Sequence, residues 1–269
     1  MNKKHELNID VGLIGGTGIY DTEIFKVNDE IKISTPYGEP SDKITLCEYE
    51  GKKIAFIPRH GKGHRIPPHK INFHANIWAL KELGVKIILA PSAVGSLKEE
   101  HMPGDIIIPD QYIDFTKNRK YTFYDGSMVC HVSQSEPFCP DIRNIIINQL
   151  KNLNYKYYEK GTYVCIEGPR FSTKAESEYY RNILKADVIG MTLVPECILA
   201  REMEICYSSI STVTDYDVWK DVPVSSHEIL ETLSKNIEKT KTLISKILPN
   251  VSTNREKCKC STALSDALV

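Results

Sequence analysis

The chain has 269 residues, 41% of them hydrophobic. A chain of that length can bury about three quarters of its unfolded surface, as one large α/β domain or two small ones. Its 34 basic and 35 acidic residues leave a formal net charge of -1, so nothing in the charge balance favours nucleic acid or an anionic membrane as partner. The opening MNKKHELNIDVGLIGG is polar, and its short apolar stretch is neither a signal core nor a membrane span, which leads us to expect a cytoplasmic protein acting on small molecules.

In chain order, the patterning predicts strands at 10–14 and 53–57, a helix at 73–83, strands at 86–90 and 105–108, and a helix at 141–153. A strand at 161–165, a helix at 174–185, a strand at 188–191, a helix at 195–203, a strand at 205–214 and a helix at 225–248 follow. Strands that alternate with helices predict an α/β sheet. No linker or repeat divides residues 1–249, which read as one domain, followed by a polar tail, 250–269, that is free to move.

Eight cysteines are present, at 47, 130, 139, 165, 197, 206, 258 and 260. Most read as small buried hydrophobes. The Lys-, Glu- and Ile-rich composition leaves intracellular disulfides open, and Cys258-Lys-Cys260 is the place where a strained bridge is expected.

Three strand ends carry anion-binding chemistry. Gly12-Leu-Ile-Gly15-Gly16-Thr17-Gly18 offers backbone N–H groups and a hydroxyl, but neither the spacing of a Rossmann fingerprint nor the Lys of a P-loop. Pro58-Arg59-His60-Gly61-Lys62-Gly63-His64 adds a guanidinium suited to bidentate phosphate contacts and imidazole donors. Ala90-Pro91-Ser92-Ala93-Val94-Gly95-Ser96 lets a ligand approach the backbone. Two more segments suit a purine: Glu167-Gly-Pro-Arg170-Phe171-Ser172 offers an aromatic face, and Thr214-Asp215-Tyr216-Asp217 ends a strand in two acids that share a face. His60, His64, His69 and His74 lie among glycines and prolines without an HExxH pair, so no metal is expected there.

Taken in order, GGTGIYD, TPYGEPSD, PRHGKGH, SAVGS, GDIIIPDQYID, FYDG, EPFCP, EGPRFST, MTLVPE and TDYDVW resemble the 5'-methylthioadenosine phosphorylases of the trimeric purine nucleoside phosphorylase family, over roughly residues 11–248. The resemblance implies a single α/β domain with a central mixed, twisted, partly barrel-like sheet flanked by helices. It implies a glycosyltransferase of the pentosyl class that needs no cofactor and uses inorganic phosphate as co-substrate. The reaction it implies converts 5'-methylthioadenosine to adenine and 5-methylthioribose 1-phosphate, in methionine and purine salvage, with adenosine as a secondary substrate.

By the same resemblance Thr17, Arg59, His60, Ser92, Ala93 and Thr192 hold phosphate, Met191 lies along the ribose, and Phe171 packs on the purine. Asp215 faces the base, supported by Asp217, with Tyr216 beside them and His64 near phosphate or ribose. Ser172 and Ser226 bear on specificity; Ser226 stands where the animal enzymes carry an apolar residue. His131 is lent to a neighbouring subunit's sugar pocket, which implies a homo-oligomer, a trimer or a hexamer of two trimers. Three rivals stay open at this level: a phosphorylase of ordinary purine nucleosides, a nucleosidase that uses water, and a nucleoside-binding protein without turnover.

Overall fold

A computed structural model of the chain describes residues 7–16, 25–220 and 226–269, with only the backbone of 226–230. The first half contains β1 (Val11–Gly15), β2 (Lys26–Ile31), β3 (Ile44–Tyr49), β4 (Lys52–Pro58), α1 (Phe73–Glu82), β5 (Ile87–Ser96), β6 (Ile106–Ile107) and β7 (Gln111–Phe115). The second contains α2 (Pro140–Asn152), β8 (Tyr157–Tyr158), β9 (Thr162–Ile166), α3 (Lys174–Glu178), β10 (Val188–Gly190), α4 (Glu196–Glu202), β11 (Cys206–Asp215) and α5 (Ser226–Ile247).

The strands form one mixed sheet that branches at β5. The N-terminal half of β5 pairs in parallel with β1, which pairs in parallel with β4, and β3 and β2 continue that arm antiparallel. On its other side β5 runs parallel to β11, which carries the short strands β6 and β8. At Gly95 and Ser96, β5 turns to pair antiparallel with β10, opening a third arm through β9 and β7. The expected single α/β domain with a mixed, twisted sheet flanked by helices is thus present.

Alternation along the central strands divides the core between two faces. Ala55 and Ile57 join one apolar cluster with Ile88 and Ala90, while Ile54 and Phe56 join the opposite one with Ile87 and Leu89. The first cluster takes Ile77 and Leu80 of α1 and Leu199 of α4; the second takes Ile146 and Leu150 of α2 and Leu243 and Ile247 of α5. Burial on both faces explains why these strands read as unbroken apolar runs. The expected strands and helices are found within a few residues of their predicted bounds, with two exceptions: the strand expected at 86–90 continues as β5 to Ser96, and the helix expected at 174–185 is α3 continued by one π-helical turn, Tyr179–Ile183. Of the unforeseen strands, β2, β7 and β8 have polar or half-exposed sequences, whereas β3 buries Ile44, Thr45 and Cys47.

The C-terminal segment does not hang free. Val251, Cys258, Cys260 and Ala267 are buried, Lys52 Nζ donates to Val251 O at 2.9 Å, and Leu268 forms a β-bridge with Cys130. The polar look of the tail misleads because Val251, Cys258, Cys260 and Ala267 face inward between exposed polar residues, while Leu268 and Val269 at the very end stay exposed. Among the described residues no helix is long and apolar enough to cross a membrane. A chain ended at Asn250 forfeits at least the burial of Val251, about 2 kcal/mol, so its thermal midpoint should fall by several degrees; an unchanged midpoint would show that the tail contributes nothing to stability.

Candidate active site

Because β1, β4, β5 and β11 are parallel, their C-terminal ends share one edge of the sheet, where ligands of such folds gather. A cavity of about 410 Å³ opens at that edge. It is lined by Gly16 after β1, Arg59, His60 and His64 after β4, and Ser92, Ala93 and Gly95 in β5. Met191 and Thr192 after β10, Asp215 and Asp217 at the end of β11, and Leu233 and Ile237 of α5 also line it.

Arg59 is fully buried, and its guanidinium fork grips Glu196 of α4: Nε donates to Oε2 at 2.8 Å and Nη2 to Oε1 at 2.9 Å. Nη2 also donates to Ile14 O at 2.9 Å, and Nη1 to Pro91 O at 3.2 Å. Four of the five guanidinium N–H groups are thereby committed among the described residues. The bidentate contact foreseen for phosphate is therefore made with Glu196, and one Nη1–H remains for an anion. Burial alone would weaken the Arg59 charge, but Glu196 more than reverses that and pushes its pKa up. Tyr207 supports the pair by donating its hydroxyl to Glu196 Oε1 at 2.8 Å.

His60 is buried, with Nδ1 2.9 Å from Ile66 O and its ring stacked on His64 at a centroid distance of 4.2 Å. Burial lowers its pKa to about 4, opposed by the Ile66 carbonyl and assisted by the Arg59 charge. At neutral pH His60 is therefore uncharged and, with Nδ1–H facing Ile66, presents Nε2 as an acceptor. Beneath Ser92 and Thr192 lies Tyr163, fully buried, whose hydroxyl approaches both side chains yet closes no hydrogen bond with a described residue. Burial pushes the phenol up, so it stays a donor. Room for it exists because residue 190 is Gly, where a Cβ would stand 1.9 Å from the Tyr163 oxygen.

Asp215 and Asp217 meet for a reason other than strand alternation. The strand stops at Asp215, Asp217 takes φ +50°, and the Asp217 N–H folds back onto Asp215 Oδ1 at 2.8 Å in an Asx-type turn. Thr214 donates its hydroxyl to Asp215 Oδ2 at 2.7 Å. Gly95 permits this approach, since a Cβ there would lie 3.0 Å from Asp215 Oδ1. Burial raises the pKa of Asp215, only partly opposed by Thr214 and the Asp217 amide. Burial raises Asp217 as well, against the pull of Ser177 and Ser172. Ser172 and Ser177 stand close enough to act on Asp217, yet Asp217 Oδ2, Ser172 Oγ and Ser177 Oγ, all buried, close no hydrogen bond among the described residues.

The segment before them is pinned by its own cap. Thr173 and Glu176 form a reciprocal capping box, and Arg170 places its fork on Glu176 with both contacts at 2.7 Å. Arg170 is thus structural. Phe171 is left lining the cavity with 63% of its surface exposed, a bare aromatic face.

Of the residues expected at the site, Arg59, His60, His64, Ser92, Ala93, Phe171, Met191, Thr192, Asp215 and Asp217 line one cavity. Thr17 and the Ser226 side chain lie outside the described residues. Tyr216 does not join the cavity lining: at the turn that folds Asp217 back onto Asp215 its hydroxyl is directed at Glu99 O and its ring packs against Trp219. His131 is exposed and outside this cavity, held by its N–H to Ala267 O at 2.7 Å. Sequence reasoning missed Glu196, Tyr163 and Tyr207, and also Leu233 and Ile237 as cavity residues. For Glu196 the only signal was a charged residue inside an apolar helical stretch.

A sheet with parallel strand ends, a buried cation framed by neutral donors, and an acid of raised pKa within one cavity is the architecture of a nucleoside-processing transferase. Residues 10–249 match the model of the phosphorylase superfamily. The chain is 55% identical to the S-methyl-5'-thioadenosine phosphorylase of Nitrosopumilus maritimus over 97% of this chain and 99% of that one. It is 53% identical to that of Hyperthermus butylicus over 99% and 98%. Among solved structures, a methylthioadenosine phosphorylase from an antarctic soil metagenomic library superposes with TM-score 0.92 at 44% identity, covering 97% of this chain and 92% of that one. The Schistosoma mansoni methylthioadenosine phosphorylase in complex with adenine gives 0.91 at 34% identity, covering 96% and 98%. The chain belongs to the phosphorylase superfamily, in its methylthioadenosine phosphorylase branch.

Two outcomes test the site's electrostatics. Glu196→Ala leaves a buried guanidinium unpaired and should destabilise the protein by about 3–5 kcal/mol in denaturant titration; a loss below 1 kcal/mol contradicts the pairing. Burial holds the His60 pKa at about 4, below the ordinary imidazole value of about 6.5. The unfolded chain therefore binds the extra proton between those values, and stability must fall as pH drops through that window. His60→Asn should flatten this acid limb, and an unaltered pH dependence of the melting temperature would remove His60 as its source.

Proposed function

We propose that this protein cleaves 5'-methylthioadenosine with inorganic phosphate, releasing adenine and 5-methylthioribose 1-phosphate. One observation carries the reading: a single cavity joins oxyanion donors to an acid of raised pKa at the spacing of a nucleoside. Arg59 bonds Pro91 O, next to Ser92, whereas Asp215 pairs with Gly95. Ser92 and Gly95 are three residues apart on one strand, about 10 Å.

In this reading phosphate sits among Arg59, His60, Ser92, Ala93 and Thr192, with Thr17 as a further donor. A phosphate oxygen attacks C1' of the ribose, the C1'–N9 bond breaks, and its electron pair moves into the purine. Asp215 donates its proton to N7, and Asp217, with Ser172 beside it, supports the base edge. Burial supplies the raised pKa that a proton donor needs at neutral pH. The nucleophile arrives with the substrates, so neither a covalent intermediate nor a cofactor is required. Met191 lies along the sugar, and Phe171 covers the base.

The apolar side chains of Leu233 and Ile237 on the cavity wall favour a methylthio group over a hydroxyl at the 5' position. Such discrimination is worth about 1–3 kcal/mol, so adenosine is a secondary substrate. The reading makes the enzyme a cytoplasmic homo-oligomer, a trimer or a hexamer of trimers, in which His131 reaches a neighbouring subunit's sugar site; its exposure away from its own cavity supports that role.

Rates on methylthioadenosine, adenosine and inosine, each with and without phosphate, test the proposal. Methylthioadenosine should be preferred and turnover should require phosphate; turnover that persists without phosphate indicates a nucleosidase. Asp215→Asn replaces a donor to N7 and an acceptor for the 6-amino group by an amide that suits a 6-oxo group. The wild-type preference for 6-aminopurines, on the order of 10⁴-fold, should shrink toward inosine, and an unchanged adenosine-to-inosine ratio defeats the assignment.

A further inference from the structure

Outside the cavity lining, Cys139, Cys206, Cys258 and Cys260 converge, all buried, with every pair of sulfur atoms within 4.8 Å. The Cys139–Cys258 and Cys206–Cys258 sulfur separations are 3.7 and 3.5 Å. An S–S bond is about 2.05 Å, and all eight cysteines are free thiols, so the bridge expected at Cys258 and Cys260 is not formed. The edges of a tetrahedron of thiolates around a zinc ion, with Zn–S of about 2.3 Å, are about 3.8 Å. The observed separations match that edge and not a covalent bond.

The surroundings supply what a tetrathiolate centre needs electrostatically. Cys139 caps the N-terminus of α2, and Cys206 opens β11. Arg201 Nη1 lies 3.4 Å from Cys260 Sγ, and Arg255 Nη1 lies 3.6 Å from Cys206 Sγ. A dication and two guanidinium groups together balance four thiolates, which removes the cost of burying that charge.

We propose that these four cysteines form a structural site for a thiophilic divalent cation of the zinc type. Binding replaces four thiol protons, which pass to solvent, with no change in oxidation state. All four ligands come from the protein, so the centre is closed and has no catalytic position. Its effect is mechanical: it ties the C-terminal segment to α2 and β11 and, through the Cys130–Leu268 bridge and the bond from His131 N to Ala267 O, steadies residues 129–131.

Elemental analysis of the intact protein, isolated from zinc-supplied cells without chelator, should find close to one zinc per chain. Denatured without reductant but with chelator, it should titrate as eight thiols. Cys258→Ser/Cys260→Ser should lose the metal and melt at a lower temperature while keeping the wild-type substrate preference. Should that variant fail to fold, Co²⁺ added to reduced, metal-free wild-type protein keeps the question open to test, because tetrathiolate coordination produces thiolate-to-cobalt charge-transfer and tetrahedral d–d absorption. Absence of zinc together with absence of that spectrum overturns the proposal. So does a thiol count reduced to four with a mass lower by four hydrogens, which would show two disulfides in place of a metal site.

Discussion

The buried ion pair between Arg59 and Glu196 is the constraint on which the site depends. Its guanidinium reaches the carbonyls of Ile14 and Pro91, so one side chain ties the end of β1 and the middle of β5 to α4. A buried pair of this kind is a poor source of net stability, because desolvation offsets most of its attraction. What it supplies is position. Three chain segments that would carry the phosphate donors cannot drift apart without stranding a charge in the core.

This arrangement changes how the anion site works. With Arg59 matched by Glu196 and His60 neutral, the pocket does not present a large excess of positive charge. A dianion would be met mainly by hydroxyl and backbone donors, with one guanidinium N–H and a neutral imidazole beside them. Preorganised neutral donors in a dry cavity are effective because they need not rearrange when charge develops. The opposite part of the chemistry follows the same logic: burial, rather than a neighbouring charge, is the largest influence raising Asp215.

Glycine and tyrosine placement supports both regions at close quarters. Gly190 exists where the Tyr163 hydroxyl must pass under Ser92 and Thr192, and Gly95 where Asp215 must approach β5. On the opposite face, α2 and α5 form the second core cluster, and the C-terminal segment adds Val251, Cys258 and Cys260 to it. The four-cysteine centre sits where that segment meets α2 and β11, so the part of the chain that looks most dispensable is tied to two elements of the core.

Periodicity and turn chemistry by themselves determined the helices, the central strands and the strand-end location of the anion-binding motifs, because doubly buried strands and amphipathic helices leave patterns within a few adjacent residues. The ordered motifs also identified the family. Weak strands such as β2 and β7 escaped, since their sequences carry polar residues and only pairing with a neighbour makes them strands. Tertiary structure alone decided that Arg59 grips Glu196 rather than waiting open for an anion, and that Tyr216 turns away while Asp217 folds back. It also brought Cys139, Cys206, Cys258 and Cys260 to one point. Each of these is a meeting of residues distant along the chain or a local backbone reversal, and neither leaves a trace in the spacing of side chains.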